Sequence, residues 1–375
     1  MLRKRSITQT ATLAWSGDTT ISADLDQVGH ITQIDFTVEV TPSATLAGAN
    51  QPDGLFRLVQ NLAVKGGSHT YIDLPADDGC GGGVLLHYLN AHDYPGRVFH
   101  HSGAITAPSR TYQPITYVIH CGTRPKKANG EENKFDITGF IPASTESQLR
   151  LEWTVSGNDV MDDTVTISSA LGRVTLHYVT GSEEDIRNEM ADQRVLAAMC
   201  PAWRGQRHTH DSTYGNYSDE INIPTGAYLS RVSLLAQDAT GTRTLRAMDE
   251  WTGAQVKLNN DETLIQAFAD AIAAKTGARG TFLVADDADE DFNGEAIYGF
   301  GVLDLKDHAV VHGPNGNLLS KDWGVNLIGV PQGLPKLGLT VTTYTSGDDT
   351  LILWERHLPF NSVSGMQGAS LATKA

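Results

Sequence analysis

Two histidines separated by one residue, His208 and His210, are the first candidates for chemistry, because this spacing occurs in metal sites that are built on β-barrels. Such a motif also needs a Glu after three or four intervening residues. Tyr214 and Gly215 occupy those two positions, and the nearest Glu is Glu220. We therefore predict that both histidines are packed or lie at the surface and that they hold no metal.

Two further groups have residue types that bind metals. The adjacent pair His100–His101 has no carboxylate partner at ligand spacing. Four residues of the run DDADEDFNG match positions 1, 3, 5 and 6 of a calcium loop: Asp289, Asp291, Asn293 and Gly294. Position 12, which should be Glu, is Phe300, and no helix is predicted before the loop. A solvated acidic loop is the preferred interpretation, and a weak surface cation site is the alternative.

The glycine run GCGGG raises the question of phosphate binding. The dinucleotide fingerprint that would begin at Gly79 and Gly81 fails, because Val84 occupies the position of its third glycine. We predict a flexible segment that leads into a helix. The chain also lacks the G-x-S-x-G and H-E-x-x-H motifs of hydrolases. We therefore predict no catalytic residues, no cofactor-binding residues and no cofactor.

The chain contains three cysteines, Cys80, Cys121 and Cys200, and none of them forms a CxxC pair. An odd number without zinc-like spacing predicts free thiols in a reducing compartment.

The formal net charge is −16 over 375 residues. Such an acidic surface repels phosphate backbones, so we expect no direct nucleic-acid binding by the main body. The exception is the N-terminus, where Arg3, Lys4 and Arg5 cluster. This cluster is either a solvated end or a basic arm that contacts an anionic partner such as lipid headgroups. The polar residues that follow argue against a signal peptide, and no apolar run approaches the length of a membrane span.

Alternation of apolar and polar residues dominates the chain and predicts short strands separated by turns rich in Gly, Pro and Asp. This pattern is typical of an all-β sandwich or barrel. The predicted strands are 30–40, 115–121, 134–141, 149–155, 165–179, 228–237, 280–286, 297–305, 323–330, 337–345 and 350–358. Three helices are predicted at 81–92, 182–199 and 260–277, and Ser182 and Asp185 form a potential capping pair in the second.

Two halves of the chain share one pattern. Gly29–Phe36 matches Gly226–Leu234, with one extra residue in the second copy. Two closing segments also match: Leu149–Ile167 and Leu337–Leu358. Each consists of a Leu-x-Leu strand, a Ser-Gly turn with Asp, and a final apolar strand. We interpret the chain as one sandwich present twice. The predicted divisions are an N-terminal arm (1–19), a first unit (20–181), a linker helix and connection (182–205), a second unit (206–360) and a C-terminal tail (361–375).

The order of these segments resembles the double jelly-roll major capsid proteins of tailless icosahedral double-stranded DNA viruses, with the tectivirus type nearer than adenovirus hexon. The segments that carry this resemblance are 31–48, 53–76, the helix 83–90, 133–144, 298–308 and 323–358. It covers most of residues 20–360 and is one of pattern and order, without an invariant motif.

The resemblance implies two tandem eight-stranded jelly rolls with a few short helices. It also implies a trimeric, pseudo-hexagonal capsomer in the shell of a membrane-containing virus such as a bacteriophage. Expected partners are neighbouring capsomers, minor capsid, penton or spike proteins, and an internal membrane reached by the basic N-terminal arm. The expected location is the virion shell, with the host cytoplasm during assembly. The alternatives are a bicupin-like or carbohydrate-active enzyme, and a carbohydrate-binding or adhesin sandwich.

Overall fold

The structure is a computed structural model. It describes residues 1–9, 13–15, 19–42, 54–67, 69–77, 81–94, 113–125, 131–155, 167–193, 195, 198–210, 217–237, 253–259, 263–268, 300–306, 323–341 and 348–360. Among these residues, no helix has both the length and the apolar character needed to cross a membrane.

The first half forms two facing antiparallel sheets. One has the order β1-β9-β4-β7, with β2 also paired to β9, and the other has the order β3-β8-β5-β6. The strands are β1 (Arg3–Thr8), β2 (Leu13–Ala14), β3 (Thr20–Asp24), β4 (His30–Pro42), β5 (Val59–Gly66), β6 (Thr70–Asp73), β7 (Gln113–His120), β8 (Leu149–Val155) and β9 (Ile167–Thr180). Because β1 and β2 pair with successive parts of β9, they count as one interrupted strand, and the half has eight strands.

The second half also forms two sheets. Their orders are β10-β19-β13-β16, with β11 paired to β19 and β17 to β13, and β12-β18-β14-β15. The strands are β10 (Met199–Pro201), β11 (Arg204–Thr209), β12 (Tyr217–Asn222), β13 (Tyr228–Gln237), β14 (Gly253–Lys257), β15 (Thr263–Phe268), β16 (Phe300–Asp304), β17 (Val325–Asn326), β18 (Lys336–Val341) and β19 (Asp349–Pro359).

The two halves have one topology. Strands β1 to β7 correspond in order to β10 to β16, and β8 and β9 correspond to β18 and β19; each partnership in the first half recurs in the second. Among the described residues, the short β17 has no counterpart in the first half. Each half is therefore a jelly roll, and the prediction that one sandwich is present twice is confirmed. The matched opening segments are β4 and β13, and the matched closing segments begin at β8 and β18.

The alternating pattern positions the core. In β8 every second residue, from Leu149 to Val155, is buried, while the residues between them are partly exposed. Trp153 of β8 packs edge-on against Phe36 of β4, with ring centroids 5.5 Å apart, so the two sheets of the first roll meet through aromatic side chains. Trp354 is buried equally deeply in the second roll.

Two α-helices are described. Helix α1 (Gly81–Asp93) is buried along its whole length, as expected for a helix with apolar or uncharged residues on nearly all sides. It contacts β5 and β7 of the first roll and β13 and β19 of the second, so it lies between the rolls. Helix α2 (Glu183–Asp192) is capped by Ser182: the Ser182 side chain accepts from the backbone N–H of Asp185, and the Asp185 side chain accepts from the backbone N–H of Ser182, as predicted.

Two predicted elements were wrong in type. Within the predicted helix 260–277, residues 263–268 form strand β15, which pairs with β14. Pairing with a neighbouring strand decided the conformation here, although the apolar spacing is helical. Residues 260–262 and 269–277 lie outside the described residues. The predicted strand 134–141 is irregular, with isolated bridges at Gly139 and Ile141. Its buried Asp136 accepts hydrogen bonds from the backbone N–H groups of Thr138 and Arg124, which compete with a strand ladder.

Some predicted boundaries divide elements that the structure joins. Strand β1 lies within 1–19, the predicted arm, and pairs with β9, so this part of the arm belongs to the first roll. Strands β10 and β11 begin within the predicted connection 182–205 and pair with β19 of the second roll.

The rolls share a continuous apolar junction. Leu235, Leu351 and Leu353 of the second roll belong to the same buried cluster as the first roll's core. Gly205 of β11 lies against the backbone of Leu74 and Pro75: a Cβ at this position would be 2.0 Å from the nitrogen of Pro75. The two backbones approach so closely that glycine is required here.

Candidate functional site

Charged side chains are buried at the junction between the rolls. Arg231 of β13 donates to both carboxylate oxygens of Asp93, the last residue of α1, at 2.5 and 2.9 Å. Its Nε donates to Glu355 of β19 at 2.6 Å. All three side chains are less than a tenth exposed. We call these three residues the junction triad.

The pKa values of the junction triad follow from burial and proximity. Burial raises the pKa of Asp93, but the charge and hydrogen bonds of Arg231 outweigh it and hold this pKa far below its usual range. For Glu355 burial dominates and the pKa is raised, although Arg231 opposes the shift. Such a network fixes one arrangement of two domains, because each charge needs its partner to remain in the interior.

A second polar contact ties the rolls at another point. Arg207 of β11 donates to Asp349 of β19 through Nε at 2.8 Å and also lies 3.3 Å from Asp77, which follows β6 of the first roll. The amide of Gln237 donates to the same Asp77. Lys306, after β16, donates to the carbonyl of Thr123 at 3.1 Å. The junction is thus held by several side chains from each roll.

A narrow cavity beside the junction triad is lined by Asn90, Arg231, Lys306 and Glu355, among others, and has room for about one water molecule. This cavity is too small for a metabolite or a sugar. The junction therefore has the character of a structural contact.

His208 and His210 lie at one rim of the second roll. His208 is on β11 and His210 follows it, whereas Asp219 is on β12 of the facing sheet. Asp219 Oδ2 lies 2.6 Å from His208 Nε2 and 3.2 Å from His210 Nδ1. His210 Nε2 lies 2.7 Å from Thr350 Oγ1 of β19. We call His208, His210 and Asp219 the rim cluster.

The rim cluster is partly open to solvent. The side chain of His210 is fully buried, while those of His208 and Asp219 are 23% and 17% exposed. Burial raises the pKa of Asp219, but hydrogen bonds from both imidazoles outweigh it and hold the pKa below its usual range. Asp219 is therefore an ionised carboxylate that faces two rings.

Sequence reasoning missed Asp219. The HxH metal motif has its Glu close behind the second histidine on the same stretch of chain, at the positions of Tyr214 and Gly215. The carboxylate instead comes from β12, the next described strand along the chain, which belongs to the facing sheet, so no spacing within one strand indicates it.

The other candidate residues have several outcomes. Cys121 and Cys200 are buried free thiols, as predicted, and burial raises the pKa of each well above its ordinary value. Cys80, His100–His101 and the acidic loop at 286–294 lie outside the described residues.

The glycine run has a packing role. Gly82 and Gly83 begin α1, and a Cβ at either would lie within 2.7 Å of atoms of Leu74, Phe56 or Val59. The predicted helix does begin in this run, at Gly81, but Gly82 and Gly83 are held in close contact with the first roll and are not a flexible segment; Gly79 and Cys80 lie outside the described residues.

The basic cluster at the N-terminus is part of β1. Lys4 bonds Glu189 of α2 at 2.7 Å, and the terminal amine of Met1 lies 2.5 Å from Asp185 of the same helix. Arg3 and Arg5 are exposed. Two acidic side chains of α2 therefore offset part of this positive charge.

No protein-family model matches the chain, and no curated protein matches it in sequence. Solved structures match it over nearly its whole length. The crystal structure of the STIV MCP has a TM-score of 0.68 at 16% identity and covers 96% of this chain and 97% of that chain. The chain has the double jelly-roll fold.

Two other structures extend this likeness. The quasi-atomic model of the PBCV-1 virus capsid has a TM-score of 0.54 at 10% identity, covering 95% of this chain and 94% of that chain. The major capsid protein P2 from bacteriophage PM2 has a TM-score of 0.50 at 9% identity, covering 96% and 100%. Double jelly-roll chains with little common sequence thus have the same architecture over the same length.

Proposed function

We propose that this chain is the major capsid protein of an icosahedral double-stranded DNA virus. One observation carries the proposal: two rolls with the same strand order account for the described strands from Arg3 to Pro359, and the STIV MCP matches over 97% of its own length. No family model and no curated sequence adds to it, so this architecture is the main support.

The tandem arrangement explains why such a chain would build a shell. Three copies around a threefold axis present six similar rolls, so a trimer has a nearly hexagonal outline and can contact neighbours on six sides. For this use, the two rolls must keep one orientation. The junction triad and the close approach at Gly205 supply that rigidity.

The proposed partners follow from the same geometry. They are neighbouring trimers, minor capsid, penton or spike proteins, and an internal lipid layer that would face the exposed Arg3 and Arg5. The net charge of −16 disfavours direct packing against DNA. The proposed location is the virion shell, after assembly in the host cytoplasm. Purified particles that lack lipid would remove the membrane from this proposal.

The filled interior of the rolls supports a structural role over a bicupin-like or carbohydrate-active enzyme. Trp153 and Trp354 are fully buried in the first and second rolls, where an enzyme built on paired barrels would need space for substrate. The cavity beside the junction triad holds about one water molecule.

The mass of the full chain in solution tests the proposal. We expect a stable species of three chains by light scattering or native mass spectrometry at micromolar concentration. A species that stays monomeric over the whole concentration range would overturn the trimeric capsomer. Electron microscopy of the trimer should then show a pseudo-hexagonal outline, and a threefold outline with three lobes would contradict it.

A further inference from the structure

We propose that the rim cluster of His208, His210 and Asp219 binds a divalent transition metal ion, with Zn²⁺ the best fit, and that the ion ties together the two sheets of the second roll. Two imidazoles and a carboxylate are ligands that such ions prefer. This inference goes beyond the capsid role and does not depend on it.

The geometry of the rim cluster suits a single ion. One ligand atom from each residue lies within 4.8 Å of the other two. Ligands of a tetrahedral zinc ion, at about 2.0–2.1 Å from the metal, lie roughly 3.3 Å apart. The 3.2 Å between Asp219 Oδ2 and His210 Nδ1 is close to this separation, whereas the 2.6 Å between Asp219 Oδ2 and His208 Nε2 is a shorter, hydrogen-bond distance. Small side-chain movements would let all three atoms face one ion.

The surroundings of His210 are those of a metal ligand. Its Nδ1 faces the cluster, while its Nε2 lies 2.7 Å from Thr350 Oγ1. A ligating histidine usually bonds a second polar group through its other nitrogen, which fixes the orientation of the ring. The backbone N–H of His210 donates to the carbonyl of Asp348 at 2.8 Å and restricts the ring further.

The exposure of the rim cluster provides an entry path and a fourth ligand. His208 and Asp219 are partly exposed, so an ion can enter from solvent and keep a water molecule as its remaining ligand. Because His208 and His210 belong to one sheet and Asp219 to the other, the bound ion would bridge the sandwich at its rim.

Comparison with the first roll shows that the fold itself does not require the rim cluster. The equivalents of β11 and β12 are β2 and β3, Leu13–Ala14 and Thr20–Asp24, and neither contains a histidine. The first roll thus closes the corresponding rim without these residues. The rim cluster is present in the second roll and has no equivalent histidines in β2 or β3.

Metal binding is tested on the full chain after treatment with a chelator and dialysis into metal-free buffer. Titration with Co²⁺ should give one ion per chain, with the visible absorption of a low-coordinate site, and Zn²⁺ should displace it. Asp219→Asn and His208→Gln should each weaken Co²⁺ binding by at least ten-fold, and Thr350→Val should weaken it by about ten-fold or more.

The matched control is Asp35→Asn. Asp35 Oδ2 lies 2.8 Å from His177 Nε2, so this variant breaks a histidine–carboxylate pair of the same kind outside the rim cluster. Its Co²⁺ binding should equal that of the original chain. Equal losses in Asp35→Asn and Asp219→Asn, or an original chain that binds no Co²⁺, would overturn the proposal.

Circular dichroism and solution mass show whether each variant is folded. If Asp219→Asn does not fold, the partly exposed His208→Gln provides the same comparison. Zn²⁺ should also raise the thermal midpoint of the original chain, whereas Mg²⁺ should not, and an equal response to both ions would contradict a site built from imidazoles. A trimer that binds no metal would leave the capsid proposal intact.

Discussion

Arg231 of the second roll and Asp93 of the first form a two-pronged ion pair, with nitrogen–oxygen distances of 2.5 and 2.9 Å, in the buried junction between the rolls. Asp93 is the last residue of α1, where the helix dipole disfavours a negative charge. The positive charge of Arg231 offsets both the unfavourable helix dipole at Asp93 and the lost hydration of its carboxylate. The orientation of the two rolls thus depends on an ion pair whose two charges come from different rolls.

Arg231→Met should therefore lower the free energy of unfolding by about 3–5 kcal/mol, since it leaves Asp93 and Glu355 buried without their cation. Chemical denaturation measures the loss. Arg187→Met is the control, because Arg187 pairs with Glu183 on the exposed face of α2 and should change stability by less than about 0.5 kcal/mol. Similar losses in both variants would contradict a dominant role for the junction triad.

His357 should make the protein less stable in mild acid. Burial, and to a smaller extent the charges of Lys306, His120 and Arg231, lowers the pKa of His357 from 6.5 to about 4, although its hydrogen bond to the carbonyl of Cys121 opposes this. The folded state therefore holds a neutral ring. The contribution of this neutral ring to the free energy of unfolding is complete above pH 6.5. Between pH 6.5 and 4 it falls by about 1.4 kcal/mol per pH unit, because the unfolded state binds a proton that the folded state does not.

Denaturation at pH 7.5, 6 and 5 measures this effect. In His357→Gln, which keeps a donor for the Cys121 carbonyl, stability should decline less steeply with acid than in the original chain. Parallel declines in the two proteins would show that His357 does not titrate in this range.

Gly205→Ala should destabilise the junction strongly. The new Cβ would lie 2.0 Å from the Pro75 nitrogen and 2.3 Å from the Leu74 carbonyl carbon, so backbone of the other roll would have to move. We expect a loss of about 3 kcal/mol or more. Gly226→Ala is the control for backbone strain alone: its φ is +86° with no atom within 4 Å, so about 1–2 kcal/mol is expected. A smaller loss at Gly205 than at Gly226 would refute the close approach.

Cys121 and Cys200 should resist alkylation in the folded protein. Both thiols are fully buried, and burial raises their pKa values, so the reactive thiolate is scarce. Treatment with N-ethylmaleimide followed by peptide mass spectrometry should show labelling of both residues after unfolding in denaturant. Labelling of either one at an equal rate before unfolding would contradict this.

Short-range sequence patterns predicted an element correctly where the pattern and the pairing of the strands favour the same structure. The alternation from Leu149 to Val155 matches the buried face of β8, and the repeated openings at Gly29 and Gly226 mark equivalent strands. The capping pair of Ser182 and Asp185 gave the start of α2 correctly. These signals lie within a few residues of one another, so one stretch of sequence contains them.

Features that depend on a partner in another element were not predictable in this way. The segment Thr263–Phe268 has helical apolar spacing but pairs with the preceding strand β14, and Asp136 accepts a hydrogen bond from the backbone N–H of Arg124 in another segment. Asp219 joins two histidines from the opposite sheet. In each case the deciding interaction crosses between elements, and no local spacing shows it.

In each roll the first strand pairs with the last. Arg3 lies opposite Thr180 in the first roll, and Met199 lies opposite Pro359 in the second. A unit whose beginning and end meet at one corner can be copied head to tail, since the chain leaves the finished copy beside the place where it entered. This arrangement makes tandem gene duplication topologically simple: a second copy needs a short connector and no rerouting of the strands already in place.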